Sequence, residues 1–230
     1  MLKHLACIMD GNRRWALKQG FASCFGHKKG LDTIQRVIDF CLNKHISYLS
    51  LYTFSLENLQ KRSSDEQHYL FEVLAQEAAQ DLVIFKNKKV SIRFMGDWNL
   101  FPATIKNLCK KVEEETKLGD ALQVNFLLCY GSQQEIINAA KCIAVDIAQG
   151  NMAIDDITTN TFENYLWTVG MPLPDLIIRT GGQQRLSNFL LYQCAYSELY
   201  FLDCLWPDIS GADLESAFIY FNESQKNFGQ

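Results

Sequence analysis

The segment Arg179-Thr180-Gly181-Gly182-Gln183-Gln184-Arg185-Leu186-Ser187-Asn188 has the residue types of an anion site. Two guanidinium groups flank a glycine pair, with a serine close behind. Guanidinium forks, glycine-freed amides and a hydroxyl make a cradle for phosphate or diphosphate. Asp10-Gly11-Asn12-Arg13-Arg14-Trp15 follows an apolar run and opens a helix. Gly11 permits close backbone approach, amides at a helix start favour an anion, and Arg14 adds a bidentate charged contact. Asp10 would repel that anion unless a cation stood between them. A hard Mg²⁺ held by one carboxylate and phosphate oxygens resolves the conflict. A turn capped by Asp and Asn explains the same residues equally well.

Other clusters are weaker. Gly26-His27-Lys28-Lys29-Gly30 reads as the start of a helix with three cationic side chains, suited to an anion or to a solvated basic patch. Ser55, Glu57 and Asn58 end an apolar run and could orient a substrate or water, or simply cap the next helix. Glu198, inside Tyr196-Ser197-Glu198-Leu199-Tyr200-Phe201, is costly in so apolar a run unless paired or metal-bound. Glu113-Glu114-Glu115 reads as a solvated helix face and Asp155-Asp156 as cap chemistry. His4, His45 and His68 lack metal-ligand spacing.

The elements that must carry these clusters alternate. Apolar runs at Leu5–Met9, Tyr48–Phe54, Val90–Met95, Leu122–Leu128, Leu176–Ile178 and Glu198–Leu202 read as strands. Helical spacing marks 28–44, 65–86, the stretch after Pro102, the stretch from Ser132 to Ile147, and 212–223. Ser132 and Glu135 have the spacing of a capping box. Strand–helix alternation with near-continuous apolar strands predicts an α/β fold: one mostly parallel sheet covered on both faces. Ligands on such sheets sit outside the carboxyl ends of strands, where Asp10–Trp15, Ser55–Asn58 and Arg179–Asn188 fall.

Composition narrows the function. The chain has 230 residues, a net charge of -4, and neither repeats nor a Pro/Gly/Ser-rich linker, so 1–230 reads as a single domain without a nucleic-acid-binding field. The 8 Cys form no C-x-x-C and sit mostly in apolar runs, which predicts reduced thiols in a cytoplasmic protein. No apolar run is long enough to span a membrane, and the N-terminus lacks a signal-peptide core.

In this order the motifs resemble the cis-prenyltransferase family, and within it the bacterial members that make undecaprenyl diphosphate. The resemblance runs from His4-Leu5-Ala6-Cys7-Ile8-Met9-Asp10-Gly11-Asn12 to Leu205-Trp206-Pro207-Asp208. It implies a homodimer with an apolar tunnel that elongates an allylic diphosphate such as farnesyl diphosphate with isopentenyl diphosphate. The implied product is a long poly-cis polyprenyl diphosphate, undecaprenyl diphosphate for a cell-wall lipid carrier. Peripheral contact with the inner face of the cell membrane would serve product release. A shorter product, or a non-catalytic partner subunit on the same fold, are the alternatives; the retained Asp-Gly-Asn block disfavours the partner subunit.

By that resemblance Asp10 and Glu198 hold Mg²⁺, and Asp10 and Asn58 serve catalysis. Gly11, Asn12 and Arg14 would bind the allylic diphosphate with His27 nearby, and Arg13 and Trp15 would also contact substrate. Arg179, Arg185 and Ser187 would bind isopentenyl diphosphate, with Ser55 and Lys61 also contacting substrate. The chain departs from the family pattern at Ser23, where an Arg is common and Lys28 could substitute. It departs again at Leu59-Gln60-Lys61-Arg62, where Lys61 or Arg62 would take the Arg role, at Gln183, where a Glu is frequent, and in the tail Asn227–Gln230.

Overall fold

A computed structural model describes residues 1–57 and 80–224, save the side chains of Ser23, Cys24 and His27. Six strands form one sheet: β1 (His4–Ile8), β2 (Tyr48–Ser55), β3 (Val90–Met95), β4 (Leu122–Tyr130), β5 (Leu176–Arg179) and β6 (Glu198–Phe201). The spatial order is β3-β4-β2-β1-β5-β6 and every neighbouring pair is parallel. The flanking helices are α1 (Asn12–Lys18), α2 (Ser23–Asn43), α3 (Leu82–Asn87), α4 (Ala103–Thr116), α5 (Ser132–Ala148), α6 (Thr159–Glu163) and α7 (Gly211–Glu223). The α/β reading from sequence holds. The candidate helix at 65–86 lies mostly outside the described residues; its end is α3.

β2, β4 and β3 lie in that order on one side of β1, and β5 and β6 lie on the other. The strand order therefore reverses at the β1–β5 junction, where a parallel α/β sheet opens a crevice for ligand. Alternate side chains load the two faces. Leu5, Cys7, Leu49, Leu51, Val124 and Phe126 pack beneath α2, α4 and α7. Ala6, Ile8, Tyr52, Leu127 and Ile177 pack against Phe189 and Leu190 from the segment after β5.

A hydrogen-bonded row crosses the second face. His4 Nδ1 lies 2.7 Å from the Pro172 carbonyl, which can only accept, so Nδ1 carries the proton. Nε2 then accepts from Ser50 at 2.8 Å, and Ser50 accepts from Asn125 Nδ2 at 3.1 Å. Burial pushes the His4 pKa down from 6.5 to about 4, against the opposing pull of the Pro172 carbonyl and the Asp175 charge.

Two local readings are corrected. Ser132 and Glu135 make no capping box: Gly131 is the N-cap of α5 and has no side-chain cap bond. Glu135 instead turns inward and accepts from Tyr130, the Thr168 amide and hydroxyl, and Gln193. Glu113 is not part of a solvated face. Its Oε1 accepts from the Phe94 amide at 2.7 Å, and Thr116 accepts from the Ile92 amide at 3.0 Å. Side chains of α4 thereby satisfy amides of the edge strand β3, which would otherwise invite another strand.

Candidate active site

Asp10 stands two residues beyond β1, and its position is fixed from two sides. Its carbonyl accepts from Thr180 Oγ1 at 2.8 Å and from the Trp206 amide at 3.0 Å. Gly11 turns the chain into α1 at φ 113, and a Cβ there would meet Leu205 at 2.9 Å. That conformation and that contact both require glycine.

The Asp10 carboxylate joins the two arginine motifs. Oδ1 accepts from Arg14 at 3.1 Å and Oδ2 from Arg179 at 2.9 Å. Arg14 also donates to the Gly181 carbonyl at 2.9 Å. Gly181 has φ 88, and a Cβ there would lie 2.4 Å from Arg14 Nη2. The glycine makes room for the guanidinium. Arg179 is 4% exposed and donates to the Arg185 carbonyl and, at 2.8 Å, to Ser187 Oγ. Its Nε has no partner among the described residues. A buried guanidinium with a spare donor, beside a second guanidinium and a hydroxyl, is prepared for an anion.

Arg185 itself is exposed, and its Nη1 donates to Gln183 at 2.6 Å. That partner is neutral, so the positive charge of Arg185 remains available to a ligand. Trp15 Nε1 donates to Asp208 at 2.7 Å, tying α1 to the turn Trp206–Asp208. Arg13 is exposed on α1, and Ser55 is buried at the end of β2. Tyr52 OH reaches the Tyr130 carbonyl at 3.2 Å and the Ser187 carbonyl at 3.3 Å. Burial, reinforced by the Glu57 charge, raises the Tyr52 phenol well above its ordinary value, so it stays a donor.

Several candidates fall elsewhere. Asn58 and Lys61 lie outside the described residues, as does the side chain of His27. Gly26–Gly30 is not a helix start, because α2 begins at Ser23. A Cβ on Gly26 would sit 1.9 Å from the Asn12 carbonyl oxygen, and one on Gly30 would sit 2.5 Å from Asn12 Oδ1. These glycines let α2 cross against α1 and hold Asn12. Glu198 pairs with Leu176, which pairs with Leu5, five residues before Asp10. At about 3.3 Å per residue, Glu198 is on the order of 15 Å from Asp10 along the sheet. One chain does not bring these two carboxylates to one ion.

Sequence reasoning missed Tyr52, which reads as part of an apolar strand, and the inward role of Glu135, which reads as half of a capping box. It also missed the work of Asn188, whose left-handed backbone no pattern announces.

Fold and cluster together define a parallel α/β protein with paired arginines and a carboxylate at the strand-order reversal. The chain belongs to the family described as "Putative undecaprenyl diphosphate synthase", which matches residues 8–229, and is a prenyltransferase of the cis-elongating kind. It is 40% identical to an isoprenyl transferase of Clostridium perfringens, over 100% of this chain and 90% of that protein. It is 38% identical to a geranylgeranyl-diphosphate-specific tritrans,polycis-undecaprenyl-diphosphate synthase of Thermoplasma volcanium, over 99% of this chain and 89% of that protein. Among solved structures it is similar to lavandulyl diphosphate synthase from Lavandula x intermedia, in complex with dimethylallyl diphosphate. That match has a TM-score of 0.95 at 29% identity, over 100% of this chain and 98% of the other.

Proposed function

We propose that this chain condenses isopentenyl diphosphate with an allylic diphosphate such as farnesyl diphosphate, and repeats the step to a poly-cis polyprenyl diphosphate, undecaprenyl diphosphate being the expected product. The observation that carries the reading is the Asp10 carboxylate held between Arg14 and Arg179, which sets two cationic groups side by side at the strand-order reversal. Arg14, Asn12 and Gly11 take the allylic diphosphate. Arg179, Arg185 and Ser187 take the isopentenyl diphosphate.

With both bound, the isopentenyl double bond attacks C1 of the allylic group as its C1–O bond breaks, and diphosphate leaves. Guanidinium charge at the leaving group is worth most here because it is already in place before the bond breaks. A proton then leaves the new cation, forming the cis double bond, and released diphosphate is the candidate base. Asn58 is proposed to align the isopentenyl group for these steps.

Mg²⁺ fits this site on one condition. Among the described residues no three His, Cys, Asp or Glu side chains gather as a metal cage. Asp10, 29% exposed, offers one carboxylate. Mg²⁺ is commonly held by one or two carboxylates with substrate phosphates and water, so Asp10 would hold it together with a diphosphate. The ion would supply charge neutralisation at the leaving group. For Glu198 to join that ion, the second copy of the proposed homodimer would have to supply it. EDTA should stop condensation and added Mg²⁺ should restore it; full turnover under thorough chelation would contradict the metal role.

The growing apolar tail needs a dry channel. Trp15, Phe21 and Phe25 form a partly exposed aromatic run beside the site, with ring centroids 6.5 and 5.8 Å apart. Burying each added CH₂ contributes about 0.8 kcal/mol, which favours elongation in the proposed tunnel. Among the described residues no helix is long and apolar enough to cross a membrane. Release of product at the inner membrane face would therefore be a peripheral contact. Mass analysis of products from farnesyl diphosphate and isopentenyl diphosphate decides chain length: a C55 product supports this reading, and one added unit supports the shorter-product alternative.

A further inference from the structure

The segment after the cradle is conformationally expensive. Ser187, Asn188 and Leu190 have φ values of 51, 65 and 45, in the left-handed region that L-residues avoid. Such a cluster persists only where its surroundings over-determine it. Part of that determination passes through Asn188.

The Asn188 Oδ1 accepts from the Gln133 amide at 2.8 Å, and its carbonyl accepts from the Ser132 amide at 2.9 Å. Asn188 thus supplies, from 55 residues away, the cap that α5 lacks locally. Its Nδ2 donates to Gln134 Oε1 at 3.0 Å and to Glu57 Oε1 at 2.6 Å. Glu57 stands just after β2, and Ser187, the neighbour of Asn188, holds Arg179. One amide therefore ties the end of β2, the start of α5 and the cradle together.

We propose that Asn188 is a positioning residue: its bond to Glu57 fixes the isopentenyl-diphosphate cradle against the residues that follow β2, and so sets the alignment of the homoallylic substrate. This rests on the function proposed above. Asn188 touches no substrate in this account; it acts through Ser187 and Glu57.

Asn188→Asp removes the Nδ2 donor and with it the bonds to Glu57 and Gln134, which a Glu57→Gln background separates. Aspartate tolerates a left-handed backbone and caps a helix as well as asparagine does, so α5 keeps its cap. The new carboxylate, however, faces Glu57 where an amide had donated. Asn188→Asp should fold, with a thermal midpoint within a few degrees of wild type. Its KM for isopentenyl diphosphate should rise roughly tenfold and its kcat should fall, as expected for a lost charged hydrogen bond and misalignment. Its KM for farnesyl diphosphate should stay within about twofold.

In a Glu57→Gln background the same Asn188→Asp change should cost far less, because the Gln amide can donate to the new carboxylate and remake the bond in reverse. The proposal is overturned if Asn188→Asp leaves the isopentenyl KM and kcat at wild-type values. It is also overturned if the penalty is the same in both backgrounds, or if both substrates suffer equally. Failure of the functional reading looks different: the unaltered chain would then not condense the two diphosphates at all.

Discussion

Two glycine-and-cation segments in this chain look alike as sequence and do different work. Around Gly181, glycine clears space for a charged side chain: the missing Cβ is where Arg14 Nη2 lies against Asp10. At Gly26 and Gly30, glycine clears space for the neighbouring helix: the missing Cβ atoms are where α1 presents the Asn12 carbonyl and side-chain amide. The first is a site device and the second a packing device. What separates them is the neighbour's identity. In one case that neighbour lies 167 residues away in the chain, and in the other it is the helix just before.

The comparison can be broken by substitution. The largest effect should come at Asp10, the carboxylate that both arginines share. Asp10→Ala should lower kcat by roughly 10²–10³-fold and also lower the thermal midpoint, because it leaves the buried Arg179 guanidinium without its carboxylate. Activity above about a tenth of wild type would detach Asp10 from the chemistry. Next come the glycines. Gly181→Ala should behave like a weaker Asp10→Ala, displacing Arg14 with modest loss of stability. Gly26→Ala should do the reverse: the backbone oxygen it meets cannot move aside, so an overpacking cost of about 1–3 kcal/mol or more is expected, read as a lower urea midpoint. Equal loss of stability in both variants would erase the distinction between the two segments.

The smallest effect concerns His4, far from the site. Its folded pKa, about 4, lies below the unfolded value of 6.5. Between these values the unfolded chain binds a proton that the folded chain refuses, so stability falls as pH drops through that window and is flat above it. The difference is on the order of 3 kcal/mol across the window. Urea midpoints at pH 7.5 and 5 should converge in His4→Gln relative to wild type; an unchanged pH slope would assign the acid sensitivity to other groups.

Much of this was legible in the sequence. The six apolar runs fall on the six strands to within two residues at either end, because β-sheets buried on both faces demand continuous apolar residues. Asp10, Arg14, Arg179 and Ser187 converge as their strand-end positions required. What could not be read depends on distant partners. Ser132 and Glu135 have capping-box spacing, yet Asn188 caps α5, and spacing alone cannot show a cap that arrives from another loop. Glu113 stands in a run of three acids, yet only its place opposite the β3 edge turns it inward. The family resemblance groups Glu198 with Asp10, and strand register separates them within one chain.

The central claim is that Asp10 divides two anion sites, one served by Arg14 and the other by Arg185 beside Arg179. Measuring KM for both substrates in Arg14→Ala and Arg185→Ala tests it directly. Arg185→Ala should raise the KM for isopentenyl diphosphate about tenfold to a hundredfold and leave that for farnesyl diphosphate nearly unchanged, while Arg14→Ala shows the opposite bias. A reversed pattern would mean the two sites are exchanged. Unchanged KM values in both variants would contradict the account, leaving Arg14 as a structural partner of Asp10 and Arg185 as an exposed surface charge.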